Sequence, residues 1–302
     1  MKHTQDLFSH RKPEPEESVL YIVGTPIGNL NDISFRAVNI LKKVSIIACE
    51  DTRVTGKLLN HLDIKNKLIS FHKHNSFEKL ESLIEKLNNG DSIALVSDAG
   101  MPLISDPGER LVKEAKANNF DVICIPGPCA VINALISSGI ATSEFKFYGF
   151  IPKTGKERNY KLEEISNNNC ASVIYESPKR VLKLLVDLKL ICEHNRNVVV
   201  MKEMTKRFEQ HLGYNFDMVI NHLKGIEPKG EFTVVIGAKE PSGKDYQSSN
   251  HSLKNDLLSL INAGLSHSAA SNYLAKKSGK PKKEIYNLII KNDFKNGDNI
   301  YA

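Results

Sequence analysis

The stretch IALVSDAGMPLISDPG, residues 93–108, joins a short apolar run to a loop that contains no basic residue. The run at 93–96 is continuous rather than alternating, which is typical of a strand buried on both faces of a parallel sheet. The loop behind it holds two aspartates, two glycines and two prolines. A phosphate-binding loop needs Lys, Arg or a glycine-rich run of free amides. The loop therefore favours a ligand that is neutral, rich in hydroxyl groups, or positively charged.

The same arrangement recurs through the first half of the chain. Other continuous apolar runs are found at 19–23 (VLYIV), 44–49 (VSIIAC) and 122–125 (VICI). Amphipathic stretches separate them, and the clearest, residues 76–87, places four apolar side chains on one helical face with Ser76 at the N-cap. This alternation predicts an α/β domain with mostly parallel strands.

A second α/β domain is predicted from residues 149–239, with GFIPKTGKER (149–158) as the crossing segment. Its expected strands are SVIYE (172–176), NVVVM (197–201) and FTVVIG (232–237). Helices are expected at about 181–188 and 215–224. The predicted organisation is a disordered N-terminus (1–17), a first α/β domain (18–148), a second (149–239), a linker (240–250) and a C-terminal helical segment (251–302).

Residues 268–292 indicate two short helices separated by a turn at Gly279. A helix-turn-helix arrangement and a plain helical hairpin both fit this pattern. Residues 239–302 hold ten lysines and six acidic residues, and the whole chain has a net charge of +6. A basic tail is usually a solvated surface, but it is also where nucleic acid would bind.

Composition limits the class of protein. The 302 residues are 41% hydrophobic, and no apolar run approaches the ~20 residues of a membrane helix. The N-terminus lacks the apolar centre of a signal peptide, so a cytoplasmic protein without membrane association is expected. The five cysteines are expected to be buried and reduced, and His72 with His74 lacks the further ligands that a metal site needs.

Three further loops follow the other predicted strands of the first domain. GTPIGNLND (24–32) matches neither the Rossmann nor the P-loop pattern, so Gly24 and Gly28 either permit a turn or contact a ligand. EDTR (50–53) fits a structural ion pair or a catalytic cluster. PGPCA (126–130) leads from a turn into a helix. Because ligands of open α/β sheets bind at the carboxyl ends of strands, the four loops together predict a ligand site there.

A resemblance to a known family rests on several of these motifs in their order along the chain. They are VGTPIGNLNDISFRA (23–37), ACEDTR (48–53), SDAGMPLISDPGERLV (97–112), PGPCA (126–130), FYGFIPK (147–153) and KEMTKRFE (202–209). From Val19 to Ala238 the chain resembles the bacterial 16S ribosomal RNA methyltransferases of the tetrapyrrole-methylase superfamily, which modify a cytidine 2′-hydroxyl in the decoding region. The resemblance implies two α/β domains of the tetrapyrrole-methylase type, S-adenosylmethionine in the cleft between them, 16S rRNA of the small ribosomal subunit as substrate, and a homodimer.

The resemblance also implies residue roles. The cofactor contacts that it implies are Gly24, Pro26, Asp98, Ala99, Gly100, Met101, Pro102, Ile104, Pro126, Gly127, Tyr175, Met204 and Thr233. Glu50 or Asp51 is expected to accept or orient the proton of the ribose hydroxyl, with Arg53 holding the carboxylates or an RNA phosphate. The expected RNA contacts are Lys153, Lys156, Arg158, Lys206, Arg207, Lys276, Lys277, Lys280, Lys282 and Lys283.

Three positions depart from the family pattern. The family often has His at Lys179, Asp at Ser45 and a small hydroxyl residue at Met101. Two other functions stay open: a tetrapyrrole C-methyltransferase of the same fold, and a non-catalytic nucleic-acid-binding regulator that needs only the helical tail.

Overall fold

The computed structural model describes residues 13–72, 76–140, 143–192, 195–225, 229–239, 243–278 and 280–293. The chain divides into two compact units at residues 239 and 240. Most of the predicted disordered N-terminus lies outside the described residues. Its described end is held in place, because the Glu14 carboxylate forms an ion pair with Arg36 at 2.5 Å.

The first sheet is fully parallel and contains five strands in the order β3-β2-β4-β1-β5. The strands are β1 (Val19–Val23), β2 (Ile46–Cys49), β3 (Leu68–Ser70), β4 (Ile93–Val96) and β5 (Asp121–Ile125). The connecting helices are α1 (Phe35–Lys43), α2 (Thr52–His61), α3 (Ser76–Asn88) and α4 (Glu109–Ala117). The prediction of a mostly parallel sheet is confirmed, although the three-residue edge strand β3 gave no apolar run long enough to be noticed.

Both faces of the first sheet are covered, which explains its continuous apolar strands. Val19, Tyr21 and Val23 pack on one side with α1 and α2, whereas Leu20 and Ile22 pack on the other with α3 and α4. The edge strand β5 differs, because Cys124 on it is exposed. All five cysteines are free thiols, but the expectation that they are buried holds only for Cys49. Cys124 is exposed, and Cys129, Cys170 and Cys192 are half-buried.

The second sheet is mixed and has the order β6-β7-β10-β8-β9. Its strands are β6 (Phe145–Phe150), β7 (Ala171–Glu176), β8 (Asn197–Lys202), β9 (Gln210–Asn215) and β10 (Phe232–Ile236). Only β6 and β7 pair in parallel; the other neighbouring strands are antiparallel. Its outer face packs on α6 (Lys156–Asn167), α7 (Pro178–Ile191) and α8 (Phe216–Lys224).

One apolar cluster joins the second sheet to segments that follow strands of the first sheet. The helix α5 (Ala130–Ser137) follows β5, and its Val131, Ala134 and Leu135 pack on the inner face of the second sheet. Ile27 from the loop after β1 joins the same cluster. We call the first sheet with α1–α4 the first lobe and the second sheet with α6–α8 the second lobe. Because β6 begins at Phe145, the second sheet starts before residue 149, where the sequence placed the boundary.

The C-terminal unit contains three helices rather than two: α9 (Gly243–Asn262), α10 (His267–Ser278) and α11 (Lys282–Asp293). They pack around Leu257, Ala270, Leu274 and Ile285. The predicted pair of helices is present, but residues 243–250 of the predicted linker belong to α9. Pro241 and Gly243 stand at the start of that segment, and residues 244–263 contain no further Pro or Gly that would interrupt a helix. No helix in the described part of the chain is long and apolar enough to cross a membrane.

Candidate active site

The site begins at the carboxyl ends of β1 and β4, which are neighbours in the first sheet. From β1 the chain continues towards β2, in the direction of one edge of the sheet. From β4 it continues in the opposite direction, towards β5 at the other edge. The loops after the two strands therefore separate and open a crevice, as expected at a topological switch point. Residues 24–34 and 97–108 are the segments that follow these two strands.

Backbone contacts hold the two loops together at their base. Thr25 N–H donates to Gly100 O at 2.9 Å, and Gly100 N–H donates back to Thr25 O at 3.0 Å. The Thr25 hydroxyl donates to Ser97 O at 3.1 Å. Farther out, Leu103 and Ser105 have left-handed backbone φ values of 72° and 68°. Such conformations persist in non-glycine residues only where the surroundings enforce them, so this loop has one defined shape.

A cleft of about 400 Å³ lies between this loop and the second lobe. The residues that line it are Ile27, Ala99, Gly100, Met101, Ile104, Ser105, Asp106, Cys129, Ala130, Phe150, Tyr175, Glu176, Ser177, Pro178, Gly230, Glu231, Phe232 and Thr233. Three of these described lining residues are acidic, and none is Lys, Arg or His. The cleft is therefore suited to a largely apolar ligand with a positive charge and unsuited to a phosphate.

Aromatic side chains form the second lobe's side of the cleft. The Tyr175 ring meets the Phe147 ring edge-on with centroids 4.9 Å apart, and Phe150 lies 5.8 Å away. Burial raises the pKa of Tyr175, so its hydroxyl stays protonated at neutral pH. Of these rings, Tyr175 and Phe150 line the cleft and offer a flat apolar surface and a negative π-face to a ligand.

The predicted cofactor residues fall into two groups in the structure. Those that line the cleft are Ala99, Gly100, Met101, Ile104, Tyr175 and Thr233. Those that lie outside its lining are Gly24, Pro26, Asp98, Pro102, Pro126, Gly127 and Met204. Met204 is buried in the apolar cluster between the lobes, which explains its exclusion from the lining. Pro26 and Pro102 are also buried.

Gly24 and Gly127 lie in close backbone contact with each other. A Cβ on Gly127 would lie 2.8 Å from the Cα of Gly24, which is far inside contact distance. A Cβ on Gly24 would also meet the Met101 sulfur at 2.6 Å. A side chain on either glycine would clash with the backbone of the other. Because Gly24 has no side chain, it also leaves room for Met101, one of the departures from the family pattern.

Several lining residues were not predicted as site residues. Ser105 and Asp106 lie in the motif at 97–112, and Phe150 lies in the motif at 147–153. Membership of these motifs is the sequence feature that could have identified them. Gly230 and Glu231 precede β10 and had no such signal, because they lie at the amino end of a strand.

The EDTR motif forms a structural cap next to the cleft. Asp51 is the N-cap of α2, and its carboxylate accepts hydrogen bonds from the Arg53 backbone at 2.8 Å and from the Arg53 guanidinium at 2.6 Å. These bonds hold the pKa of Asp51 well below its usual range. The Asp51 N–H donates to the Asp98 carboxylate at 3.1 Å, so the ends of β2 and β4 are joined. Glu50 precedes this cap and is half-buried.

The basic residues expected to bind RNA differ in exposure. Lys153, Lys156 and Arg207 are exposed, as are Lys276, Lys282 and Lys283 in the C-terminal unit. Lys280 in that unit is half-buried and forms an ion pair with Glu284, whereas the side chain of Lys277 lies outside the described part of the structure.

Two of the expected RNA contacts are committed elsewhere. Arg158 is 6% exposed and binds Asp187 at 2.6 Å, so the expectation that it contacts RNA is wrong for this conformation. Lys206 lies between Glu203 and Glu231, at 3.0 Å from each. The sequence did not indicate either pairing. Asp187 and Glu231 are distant from their partners along the chain, and Glu203 lies in an irregular loop with Lys206.

Comparison with known proteins agrees with this geometry. The family described as Tetrapyrrole (Corrin/Porphyrin) Methylases matches residues 19–215. A cobalt precorrin-4 methyltransferase is 17% identical with a TM-score of 0.55, covering 73% of this chain and 95% of that one. A uroporphyrin-III C-methyltransferase from Thermus thermophilus is 14% identical with a TM-score of 0.53, covering 72% and 97%. The chain belongs to the tetrapyrrole methylase family.

Relatives with higher identity carry a more specific name. Proteins named Ribosomal RNA small subunit methyltransferase I are 42% identical in Synechocystis sp., over 90% of this chain and 97% of the relative. The protein of that name from Halalkalibacterium halodurans is 41% identical over 94% and 98%. The one from Haemophilus influenzae is 40% identical over 89% and 95%. The resemblance inferred from the motifs is thereby confirmed, and it extends over nearly the whole chain.

Proposed function

We propose that this protein is an S-adenosylmethionine-dependent methyltransferase that methylates the ribose 2′-hydroxyl of a cytidine in 16S rRNA, in the decoding region of the small ribosomal subunit. The observation that carries the proposal is the similarity of about 40% identity, over nearly the full length, to relatives named as small subunit ribosomal RNA methyltransferases. The cytidine and the 2′-oxygen come from the motif resemblance. The proposal includes a homodimer that acts in the cytoplasm.

The cleft fits S-adenosylmethionine by size and by charge. Its volume of about 400 Å³ lies within the usual range of ligand pockets. The cofactor carries a sulfonium cation, a ribose diol and an adenine but no phosphate. The lining matches this, because none of its described residues is basic and three are acidic, namely Asp106, Glu176 and Glu231. Two of the three also have a basic partner outside the lining, since Glu176 pairs with Arg180 and Glu231 pairs with Lys206. When bound, the cofactor supplies an electrophilic methyl group.

The chain's own residues would hold and orient this ligand. Ile27, Met101 and Ile104 provide apolar contact from the first lobe, and Tyr175 with Phe150 provides an aromatic surface from the second. Backbone groups of Ala99 and Met101 are the proposed partners for the polar atoms of a ribose or an adenine, because those of Gly100 are already paired with Thr25. Alignment of two reactants in such a cleft supplies roughly 7–11 kcal/mol of the barrier reduction.

A proton acceptor adds less than alignment, typically about 10²–10⁴-fold. Of the two adjacent acids, Asp51 is the poorer base, because its low pKa and its contacts with Arg53 leave it little affinity for a proton. We therefore assign proton acceptance to Glu50, and we assign to Asp51 the support of the loop through Asp98. Arg53 is largely exposed, at 86%, and is placed to meet an RNA phosphate while it holds Asp51.

The exposed cations Lys153, Lys156 and Arg207 are the proposed RNA contacts of the main unit. In the C-terminal unit the proposed contacts are Lys276, Lys277, Lys280, Lys282 and Lys283. Backbone phosphates dominate nucleic-acid affinity, so this set predicts binding that weakens steeply with salt.

The deciding experiment maps ribose methylation in 16S rRNA from cells with and without this chain. Loss of one 2′-O-methylcytidine in the decoding region, restored by the purified protein and S-adenosylmethionine on small subunits, is the expected result. Unchanged ribose methylation together with methylation of a porphyrin precursor would instead support a tetrapyrrole C-methyltransferase. Absence of any heat with S-adenosylmethionine in calorimetry would support a non-catalytic binding protein.

A further inference from the structure

The segment Glu203–Lys206 leaves β8 and crosses from the second lobe to the first. Glu203 and Thr205 have left-handed backbone φ values of 54° and 64°. Two such residues in a four-residue segment fix an unusual path, and surrounding contacts have to maintain it. We call this segment the strap.

The strap touches the loop after β1. Asn29 N–H donates a hydrogen bond to the Thr205 hydroxyl at 3.0 Å. A Cβ on Gly28 would lie 2.5 Å from Lys206 Cγ, 2.6 Å from Thr205 Oγ1 and 3.1 Å from Met204 O. Gly28 therefore lacks a side chain because the strap occupies that space. This loop also contributes Ile27 to the cleft.

The strap also holds the opposite side of the cleft. The Glu203 carboxylate accepts hydrogen bonds from Glu231 N–H at 2.9 Å and from the Lys206 ammonium at 3.0 Å. Lys206 binds the Glu231 carboxylate at 3.0 Å as well. Gly230 and Glu231 both line the cleft. One lysine therefore connects the strap to the lining.

The charges of this cluster support one another. Burial alone would raise the pKa of Glu203, but the hydrogen bonds from Glu231 N–H and from Lys206 outweigh it, so the pKa lies below its usual value. Burial alone would lower the pKa of Lys206, but Glu203 and Glu231 raise it above its usual value. Glu203 and Lys206 remain charged at neutral pH. The Lys206 ammonium has two partners, the side chains of Glu203 and Glu231.

We infer that the strap sets the width of the cleft, with Thr205 and Lys206 as positioning residues for cofactor binding rather than as contacts to RNA. The inference rests on the proposed function, because it concerns the same cleft. Thr205 fixes the distance to the loop that carries Ile27, and Lys206 fixes Glu231 at the other side. A cleft held at its final width needs no rearrangement on binding, which favours affinity for the ligand.

The test compares Lys206→Met with its neighbour Arg207→Met in two assays. One is calorimetric binding of S-adenosylmethionine, and the other is the salt dependence of binding to a 16S rRNA fragment. Lys206→Met should weaken cofactor binding by about fivefold or more, the effect of losing one or two charged hydrogen bonds, and it should leave the salt slope unchanged. Arg207→Met should lower the slope by roughly 0.7 and leave cofactor binding unchanged.

Weaker binding by Lys206→Met could also result from a general loss of stability. A second pair of variants, at Thr205, distinguishes the two causes. Thr205→Val deletes the acceptor for Asn29 N–H at nearly constant volume, whereas Thr205→Ser retains it. Thr205→Val should raise the KM for S-adenosylmethionine about fivefold with a smaller change in kcat, and Thr205→Ser should restore it. Lys189→Met, which breaks the ion pair with Asp217 between α7 and α8, is the control and should not alter cofactor binding.

The possible results separate the strap from the proposed function. If the wild-type protein binds no S-adenosylmethionine, the proposed function fails, and the strap's role in cofactor binding fails with it. If the wild type binds but Lys206→Met and Thr205→Val bind equally well, only the inference about the strap is overturned. A reduced salt slope for Lys206→Met with unchanged cofactor binding would return Lys206 to the RNA contacts.

Discussion

The two lobes supply residues to the cleft in different ways. In the first lobe all strands run parallel, so every strand-end loop lies at one edge, and the cleft takes residues from the loops after β1, β4 and β5. In the second lobe β7 and β10 run antiparallel, with Tyr175 opposite Thr233. The cleft there takes the residues that end β7 and the residues that begin β10. In the parallel sheet, the common strand direction brings the loops to one edge. In the mixed sheet, the register of β7 against β10 decides which residues lie next to each other.

This difference explains how much of the site the sequence could predict. The rule that ligands bind at the carboxyl ends of parallel strands predicted a site at the loop after β4. The family resemblance then implied Ala99, Gly100 and Met101 as contacts, and all three line the cleft. No equivalent rule applies to Gly230 and Glu231, which precede an antiparallel strand, and they were missed. Their position depends on which strands are neighbours, and that is a long-range property of the chain.

The same reasoning applies to the fold. Continuous apolar runs predicted the four longer strands of the first sheet, because burial on both faces leaves a pattern in each strand alone. The strand β9 (Gln210–Asn215) has exposed and half-buried residues apart from the buried Leu212 and contains no apolar run, so only its pairing with β8 reveals it. Ion pairs such as Arg158–Asp187 were also invisible, since their partners are distant in sequence.

The largest expected effect concerns the chemistry assigned to the first lobe. Glu50→Gln should lower kcat by about 10²–10⁴-fold if Glu50 accepts the ribose proton, with cofactor affinity unchanged. Asp51→Asn should lower it much less, because Asn retains an N-cap acceptor for α2. Since Arg53 holds the pKa of Asp51 below its usual range, Asp51 is deprotonated at every pH from 5 to 9. The pH–rate profile of Asp51→Asn should therefore follow that of the wild type.

Single-turnover methylation of small subunits measures both variants, and calorimetry checks cofactor binding. Wild-type rates in Glu50→Gln would remove the acid pair from the reaction and leave alignment in the cleft as the main contribution of the first lobe.

The next effect tests the close approach of two loops in the first lobe. Gly127→Ala places a Cβ 2.8 Å from Gly24 Cα and 3.1 Å from Gly24 O, and no side chain is there to move aside. The variant should lose about 1–3 kcal/mol of unfolding free energy, measured by urea denaturation. Gly56→Ala is the matched control. Gly56 lies within α2, and its new Cβ would meet only Leu68 Cδ1, at the ordinary contact distance of 3.9 Å.

The control should be stabilised by up to about 1 kcal/mol, since Ala is the better helix former. Equal stability of the two variants would show that the loops after β1 and β5 separate freely, and the shape of the first lobe's side of the cleft would then not be fixed by backbone contact.

A smaller effect tests the charge of the cleft. Asp106→Asn removes one carboxylate from the lining at nearly constant size. A charge pair about 4 Å apart is worth roughly 1–4 kcal/mol near a protein surface, so affinity for S-adenosylmethionine should fall about fivefold or more. The neutral product S-adenosylhomocysteine should bind the variant nearly as well as it binds the wild type. Equal losses for both ligands would mean that Asp106 acts on shape rather than on charge.

The smallest expected effect concerns the C-terminal unit. Lys276 and Lys283 are both exposed there, on α10 and α11. If both contact RNA phosphates, the double substitution to Met should reduce the slope of log affinity against log salt by roughly 1.4, because each contact to single-stranded RNA contributes about 0.7. Filter binding to a 16S rRNA fragment at several salt concentrations measures this slope.

Two exposed lysines of the first lobe, Lys113 and Lys116 on α4, provide the matched control, since they are not proposed RNA contacts. Their double substitution removes the same net charge from the protein, so a long-range charge effect would change both slopes equally. A change confined to Lys276 and Lys283 would show that the helical unit touches RNA directly. The cleft would then select the methyl donor through its acidic and apolar lining, while basic surfaces outside it select the nucleic acid.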